Sequence, residues 1–134
     1  MTIDQNKKAV IEDCAKQSHD GLITFPEVLG QLVGVGVQSY FVDYRLAFTT
    51  YYLNRNEAYQ IPTEMPTLPV RSPFKKEEMI SAIRRAQGDQ VRYPEFLRLT
   101  MLAGCVGYMV WITGKHVTYF GAQGETHIEH FPGQ

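Results

Sequence analysis

The stretch "TFPEVLGQLVGVGVQSYFVDYRLAFTTYYL" occupies residues 24–53, and "RYPEFLRLTMLAGCVGYMVWITGKHVTYFG" occupies residues 92–121. Aligning Pro26 with Pro94, an offset of 68, pairs the two stretches without a gap from 25/93 to 53/121. Identities fall at Pro26/Pro94, Glu27/Glu95, Leu29/Leu97, Gly36/Gly104, Tyr40/Tyr108, Val42/Val110, Thr50/Thr118 and Tyr51/Tyr119. Eight matches in 29 positions compare with roughly two expected from average residue usage. Aromatic replaces aromatic at Phe25/Tyr93 and Tyr52/Phe120, and Glu57/Glu125 continue the match beyond the window. The chain is read as a tandem duplication sharing one core.

Each copy carries the same succession of local signals. Ile3, Val10, Ile11, Cys14 and Ala15 form one helical stripe, and Met79, Ile80, Ile83 and Ala86 form its counterpart. A second helix opens at "FPE" or "YPE", with proline in the first turn, where its missing N–H costs nothing. Thr24 and Glu27 have capping-box spacing, whereas the second copy has Arg92 at the cap. Gly36 and Gly104 mark the helix ends as left-handed C-caps.

Strands are expected next. Tyr40, Val42 and Tyr44 alternate along "VQSYFVDYR", and Tyr108, Val110 and Ile112 repeat the alternation. Hairpin partners follow at "AFTTYYL" and, after the turn "TGK", at "HVTYFG". A third short strand is expected from Glu57 and from Glu125. Four prolines in "IPTEMPTLPVRSP" (residues 61–73) exclude a central strand and predict an extended linker. The expected architecture is α+β and two-layered: an antiparallel sheet of about six strands with helices on one face. It is built from two helix-helix-β-β-β repeats, residues 1–60 and 74–134, joined by the linker into one domain with a pseudo-twofold axis.

Composition narrows the function. The chain has 134 residues, 44% hydrophobic and 20% charged, typical of an ordered globular protein. A net charge of −1 argues against a nucleic-acid binder, which carries a basic excess. The polar opening "MTIDQNKK" is unlike a signal peptide, and the longest apolar run, "MLAGCVGYMVWI", falls short of a membrane span. A cytoplasmic protein with Cys14 and Cys105 as buried free thiols is expected. Arg71, Lys75, Lys76, Arg84, Arg85, Arg92 and Arg98 face four acids over residues 71–98, either a solvated helix face or an anion-binding patch.

The order of Phe25-Pro26-Glu27, Leu32, Gly36-Val37, Tyr40, Val42-Asp43 and Thr50-Tyr51-Tyr52 resembles the YdfO/YbcV-like family of uncharacterised bacterial and prophage proteins, sometimes labelled "phage envelope protein". The resemblance runs from about Cys14 to Tyr119. It implies a small two-layer α+β fold and a link to mobile elements, and brings no activity, cofactor or catalytic residue.

Chemistry-bearing candidates are few. Asp43 has no duplicate, because Trp111 stands at its position in the second copy. On a strand it shares a face with Phe41 and Arg45, beside Met109, Trp111 and Thr113 of the other copy. That face reads as plain surface, a subunit interface or a small-molecule groove. "ETHIEHF" puts Glu125, His127 and Glu129 on one face and His130 on the other, a poor set for a tetrahedral ion. No metal, cofactor or catalytic set is assigned: there is no nucleophile with its base and no phosphate-binding glycine fingerprint. The leading expectation is a non-enzymatic interaction protein, a homodimer or a binder of another protein. The alternatives are a binder of a nucleotide-like anion, using the basic run with Tyr40, Trp111 and Tyr119, and an enzyme with Asp43 or Glu57 as general base. Candidate ligand or interface residues are therefore Tyr40, Phe41, Asp43, Arg45, Met109, Trp111 and Tyr119.

Overall fold

The computed structural model describes residues 3–69 and 73–132. Elements run α1 (Gln5–His19), α2 (Phe25–Gly34), β1 (Val37–Asp43), β2 (Phe48–Leu53), a 3₁₀ turn (Asn54–Asn56) and β3 (Ala58–Pro62). They continue with α3 (Lys76–Gln87), α4 (Tyr93–Leu102), β4 (Cys105–Trp111), β5 (His116–Gly121) and β6 (Thr126–His130). The fold is α+β: the described residues form four α-helices and one open six-stranded antiparallel sheet ordered β3-β2-β1-β4-β5-β6.

The offset of 68 relates α2 to α4, β1 to β4, β2 to β5 and β3 to β6 at both ends of every element. The eight described residues with positive φ fall into pairs at the same offset: Gly21/Asp89, Gly36/Gly104, Ala47/Lys115 and Asn56/Gly124. Gly36 (φ 86°) and Gly104 (φ 92°) are the expected left-handed helix ends. The β1–β4 ladder sets Tyr40 against Val110, Phe41 against Met109 and Val42 against Tyr108. Residues 41 and 109 are duplicates of each other, so this pair marks a pseudo-twofold axis through the middle of the sheet.

Alternation along the strands divides the sheet into two faces. Tyr40, Val42, Thr49, Tyr51, Tyr108, Val110, Val117 and Tyr119 are buried and join the helix residues Ile11, Cys14, Leu32, Met79, Ile83 and Leu97 in the core. Phe41, Thr50, Met109 and Thr118 on the other face are half-buried, and Tyr52, Trp111 and Ile128 are exposed. Leu32 is replaced in the second copy by Thr100, fully buried yet satisfied, its hydroxyl 2.8 Å from Tyr44 Oη and 3.0 Å from the Leu97 carbonyl.

Both first strands are shorter than their alternation suggests, since β4 ends at Trp111 and leaves Ile112 in a turn. β1 ends at Asp43, and Tyr44–Ala47 form the turn to β2. Asp43 Oδ1 accepts from the N–H groups of Arg45 (3.0 Å) and Leu46 (3.1 Å), a side-chain turn that competes with strand continuation. Tyr44 still reaches the core from this turn. The proline-rich segment begins later than expected, because Ile61 and Pro62 complete edge strand β3, where a missing N–H is tolerated. Met65 and Leu68 then pack against the core; Val70, Arg71 and Ser72 lie outside the described residues.

The second helices start differently in the two copies. Thr24 Oγ1 accepts from Glu27 N–H and Glu27 Oε1 accepts from Thr24 N–H at 2.9 Å, closing the capping box. Arg92 makes no side-chain cap bond. Thr24→Ala is expected to cost about 1 kcal/mol, and Arg92→Ala close to nothing. Urea denaturation of the two variants measures the difference.

Candidate functional site

Between the helices and the inner face of the sheet lies a partly open cavity of about 1300 Å³. It exceeds the ~300–1,000 Å³ usual for ligand pockets, so part of it is open groove. Its lining includes Tyr40, Val42, Tyr51, Tyr108, Val117 and Tyr119 from the sheet. Cys14, Ala15, Val28, Ile83, Tyr93 and Phe96 contribute from the helices. The tyrosines come from the duplication. Tyr40 pairs across the ladder with Tyr51, ring centroids 5.4 Å apart, and Tyr108 pairs with Tyr119 at 5.5 Å.

The copies then diverge. Tyr93 and Tyr108 share a hydroxyl–hydroxyl bond of 2.6 Å. At the twin of Tyr93 stands Phe25, exposed and packed edge-on against Phe131. Tyr40, the twin of Tyr108, therefore lacks that partner. Tyr40, Tyr51 and Tyr119 make no side-chain hydrogen bond among the described residues, and no buried polar side-chain atom there is left unpaired. Their hydroxyls thus reach the accessible space of the cavity. Bulk differs too: Val28 and Ala15 stand where the second copy has Phe96 and Ile83.

Ionisation follows from burial. Tyr40 and Tyr108 are pushed well above the ordinary tyrosine range by desolvation, with neighbouring tyrosines adding to it. Desolvation raises Tyr51 and Tyr119 likewise, and Tyr93 is pushed up to about 12 despite its bond from Tyr108. All five phenols stay neutral and able to donate near neutral pH. Burial and nearby Asp13 push the Cys14 thiol up to about 11, and burial does the same to Cys105. Both are buried free thiols, far from the thiolate form that reacts.

Charge around the cavity is chiefly negative. Glu12, Asp20, Glu64, Asp89 and Glu129 line it against Lys16 and Arg92. Glu12 accepts the Tyr59 hydroxyl, and Glu64 lies 3.2 Å from His19 Nε2. Glu129 is held from behind by Arg84 Nη1 at 2.6 Å and His127 Nε2 at 3.2 Å. Burial pushes the Glu129 carboxyl up, but the bonds from Arg84 and His127 outweigh it and hold it below the usual range. A carboxyl with a depressed folded pKa stabilises the fold above its unfolded pKa, and that contribution is lost as pH falls through the folded value. Arg84→Ala is therefore expected to move acid unfolding to higher pH, read by circular dichroism across the acid range, while exposed Lys16→Ala leaves it in place.

The structure divides the sequence candidates between two faces. Tyr40 and Tyr119 meet in the cavity. Phe41, Met109 and Trp111 lie together on the outer face, with Trp111 Nε1 donating to Thr118 Oγ1 at 3.2 Å. Asp43 closes β1 and Arg45 sits in the turn to β2, where the Asp43 carboxylate is engaged by backbone N–H groups. Glu57 is buried with Lys7 Nζ 3.3 Å away, and its twin Glu125 accepts from Gln123 N–H at 2.8 Å. Within "ETHIEHF", His127 and Glu129 turn inward, whereas His130 pairs across the ladder with His116 on the outer face. Among the described residues of the basic run, Lys75 pairs with Glu78, Arg84 with Glu129 and Arg98 with Glu95, while Arg85, Arg92 and Arg98 line a second, smaller groove together with Glu64 and Glu95.

Tyr51, Tyr93, Tyr108, Phe96 and Glu129 were not among the sequence candidates. Tyr51 and Tyr108 carried a usable signal, each being a duplicated residue in phase with an inner-face neighbour. Alternation groups Glu129 with His127 on one strand face, but nothing local points to its bond with Arg84 of α3.

No described helix is long and apolar enough to cross a membrane. Over residues 15–129 the sequence matches the family described as "Protein of unknown function (DUF1398)". Over 58 residues it is 31% identical to uncharacterized protein Rv2012 of Mycobacterium tuberculosis and to uncharacterized protein Mb2035 of Mycobacterium bovis. The aligned part is 43% of this chain and 35% of each relative, so the chain covers about a third of the curated relatives it matches.

Proposed function

We propose a ligand-binding function for this chain, which belongs to the DUF1398 family of proteins of unknown function: it holds a small, largely apolar, planar molecule between its helices and its sheet. One observation carries the reading. Three buried tyrosines, Tyr40, Tyr51 and Tyr119, line a cavity of about 1300 Å³ with hydroxyls that bond to no other side chain among the described residues. Aromatic walls with a few convergent polar groups are the ordinary make-up of a small-molecule site. The excess of carboxylates over Lys16 and Arg92 in the lining favours a neutral or cationic ligand over the nucleotide-like anion that the basic run suggested.

The duplication supplies the test. Val28→Phe installs the bulk that Phe96 already provides in the second copy. The variant is expected to fold with an unchanged or raised melting temperature and to lose the small molecule that native mass spectrometry finds in gently purified wild-type protein. Wild type emerging empty under those conditions, or both proteins retaining the same molecule, would count against the cavity as the site.

A second reading rests on the outer face, where Trp111 is 39% exposed and Tyr52 and Ile128 are also exposed. There a second copy or another protein would dock, as an interaction protein requires. A monomer by light scattering at high micromolar concentration removes the homodimer. The cytoplasmic location and the prophage setting implied by the YdfO/YbcV-like resemblance belong to this proposal as well.

A further inference from the structure

We infer that the cavity takes its ligand in one orientation, with a protonated amine head at Glu129 and an apolar body over the tyrosines. The inference rests on the ligand-binding reading above and deepens it. Glu129 lines the cavity with its side chain 17% exposed, whereas the rim carboxylate of Glu64 is 82% exposed. Arg84 and His127 hold Glu129 at 2.6 Å and 3.2 Å, and neither belongs to the lining. His127 is itself fixed by stacking on Tyr119, ring centroids 6.4 Å apart. The carboxylate is thus preorganised, and two oxygens with about four acceptor positions leave room beyond those two contacts and that of Gln87, which lines the cavity beside it.

At the opposite end the lining carboxylate, Glu12, is exposed and already accepts the Tyr59 hydroxyl. At the twins of Glu129, Arg84 and His127 stand Ile61, Lys16 and Tyr59, and Ile61 lines the cavity there. The half-buried carboxylate therefore stands at one end only, although the tyrosines between the ends follow the pseudo-twofold. A molecule with a charged donor at one end and an aromatic body matches that asymmetry. A charge-assisted bond to the carboxylate fixes its head, and neutral tyrosine rings attract an organic cation through their faces.

The test uses 1-naphthylmethylamine, 1-naphthylmethanol and 1-naphthoic acid, one ring system carrying a cationic, neutral or anionic head. Titration calorimetry on the full chain is expected to rank amine over alcohol over acid, with about tenfold between amine and alcohol. Glu129→Gln is expected to remove the amine's advantage while the alcohol binds as before; Glu64→Gln is expected to keep it. Arg84→Gln leaves Glu129 uncompensated and should strengthen amine binding, a change that a merely unfolded variant could not produce. Acid binding as tightly as amine, or an amine-to-alcohol ratio untouched by Glu129→Gln, overturns the head-group assignment and leaves the cavity standing. Failure of all three probes to bind overturns both. Binding of all three that persists in Val28→Phe overturns the assignment by placing the probes outside the cavity.

Discussion

Replacing Gly107 with alanine is expected to destabilise the protein by about 3 kcal/mol, the upper part of the range for overpacking a close-packed site. A Cβ at this position would lie 2.5 Å from the Val42 carbonyl oxygen and 3.3 Å from Phe41 Cζ. The ring could turn aside, but the carbonyl belongs to the central β1–β4 ladder, in which Gly107 faces Asp43. Relief therefore requires the two halves of the sheet to separate locally. Against a total stability of about 5–15 kcal/mol, the effect should be plain as a lower denaturation midpoint with an unchanged slope. The twin position is Ser39, opposite Trp111, and it already carries a side chain. Ser39→Gly is accordingly expected to cost under about 1 kcal/mol. Equal midpoints for wild type and Gly107→Ala would mean that the central ladder adjusts far more freely than its register implies.

Phe96→Ala is expected to cost about 3–5 kcal/mol, the range for deleting a buried aromatic ring. Phe96 packs against Tyr93, Tyr108 and Tyr119 with ring centroids 6.3–6.4 Å away, so its loss removes contacts from three of the cavity's tyrosines at once. The first copy manages the same position with Val28, buried without that cluster. Val28→Ala should therefore cost less, about 1–2 kcal/mol from the smaller apolar volume removed. Thermal or chemical unfolding of the pair gives the comparison, and near-ultraviolet circular dichroism reports whether the tyrosines lose their fixed packing. A Phe96→Ala protein as stable as Val28→Ala would mean that the ring cluster contributes nothing beyond its area.

These two positions also show why parts of the molecule were readable in advance. Proline at the helix start, glycine at its end and alternation along Tyr40-Val42 act within a few residues, so the element order and duplicated unit follow from local rules. Tyr44, Arg45 and Ile112 resisted because alternation continues past the point where both copies turn, at Asp43 and at Trp111, into the left-handed residues Ala47 and Lys115. The cavity resisted more strongly. Alternation separates Tyr40 from Phe41 and Trp111, but nothing in either segment sets Tyr40 and Tyr119 around one cavity with Phe96. The position of Glu129 is the extreme case, since its partner Arg84 is 45 residues away and only the assembled α3–β6 contact brings them together.

The pairing of Phe41 with its own duplicate has an implication for assembly. Were one repeat present as two separate chains, the same ladder would form by placing Phe41 against Phe41 and Tyr40 against Val42, a self-complementary contact of the kind closed dimers use. Such a dimer would have to present identical side chains at both ends of the space under its helices. A single covalent chain carries no such obligation. Valine can stand at one end and phenylalanine at the other, isoleucine facing glutamate across the axis. Joining the halves thus frees each position to serve one role, and lets a symmetric scaffold hold an asymmetric guest.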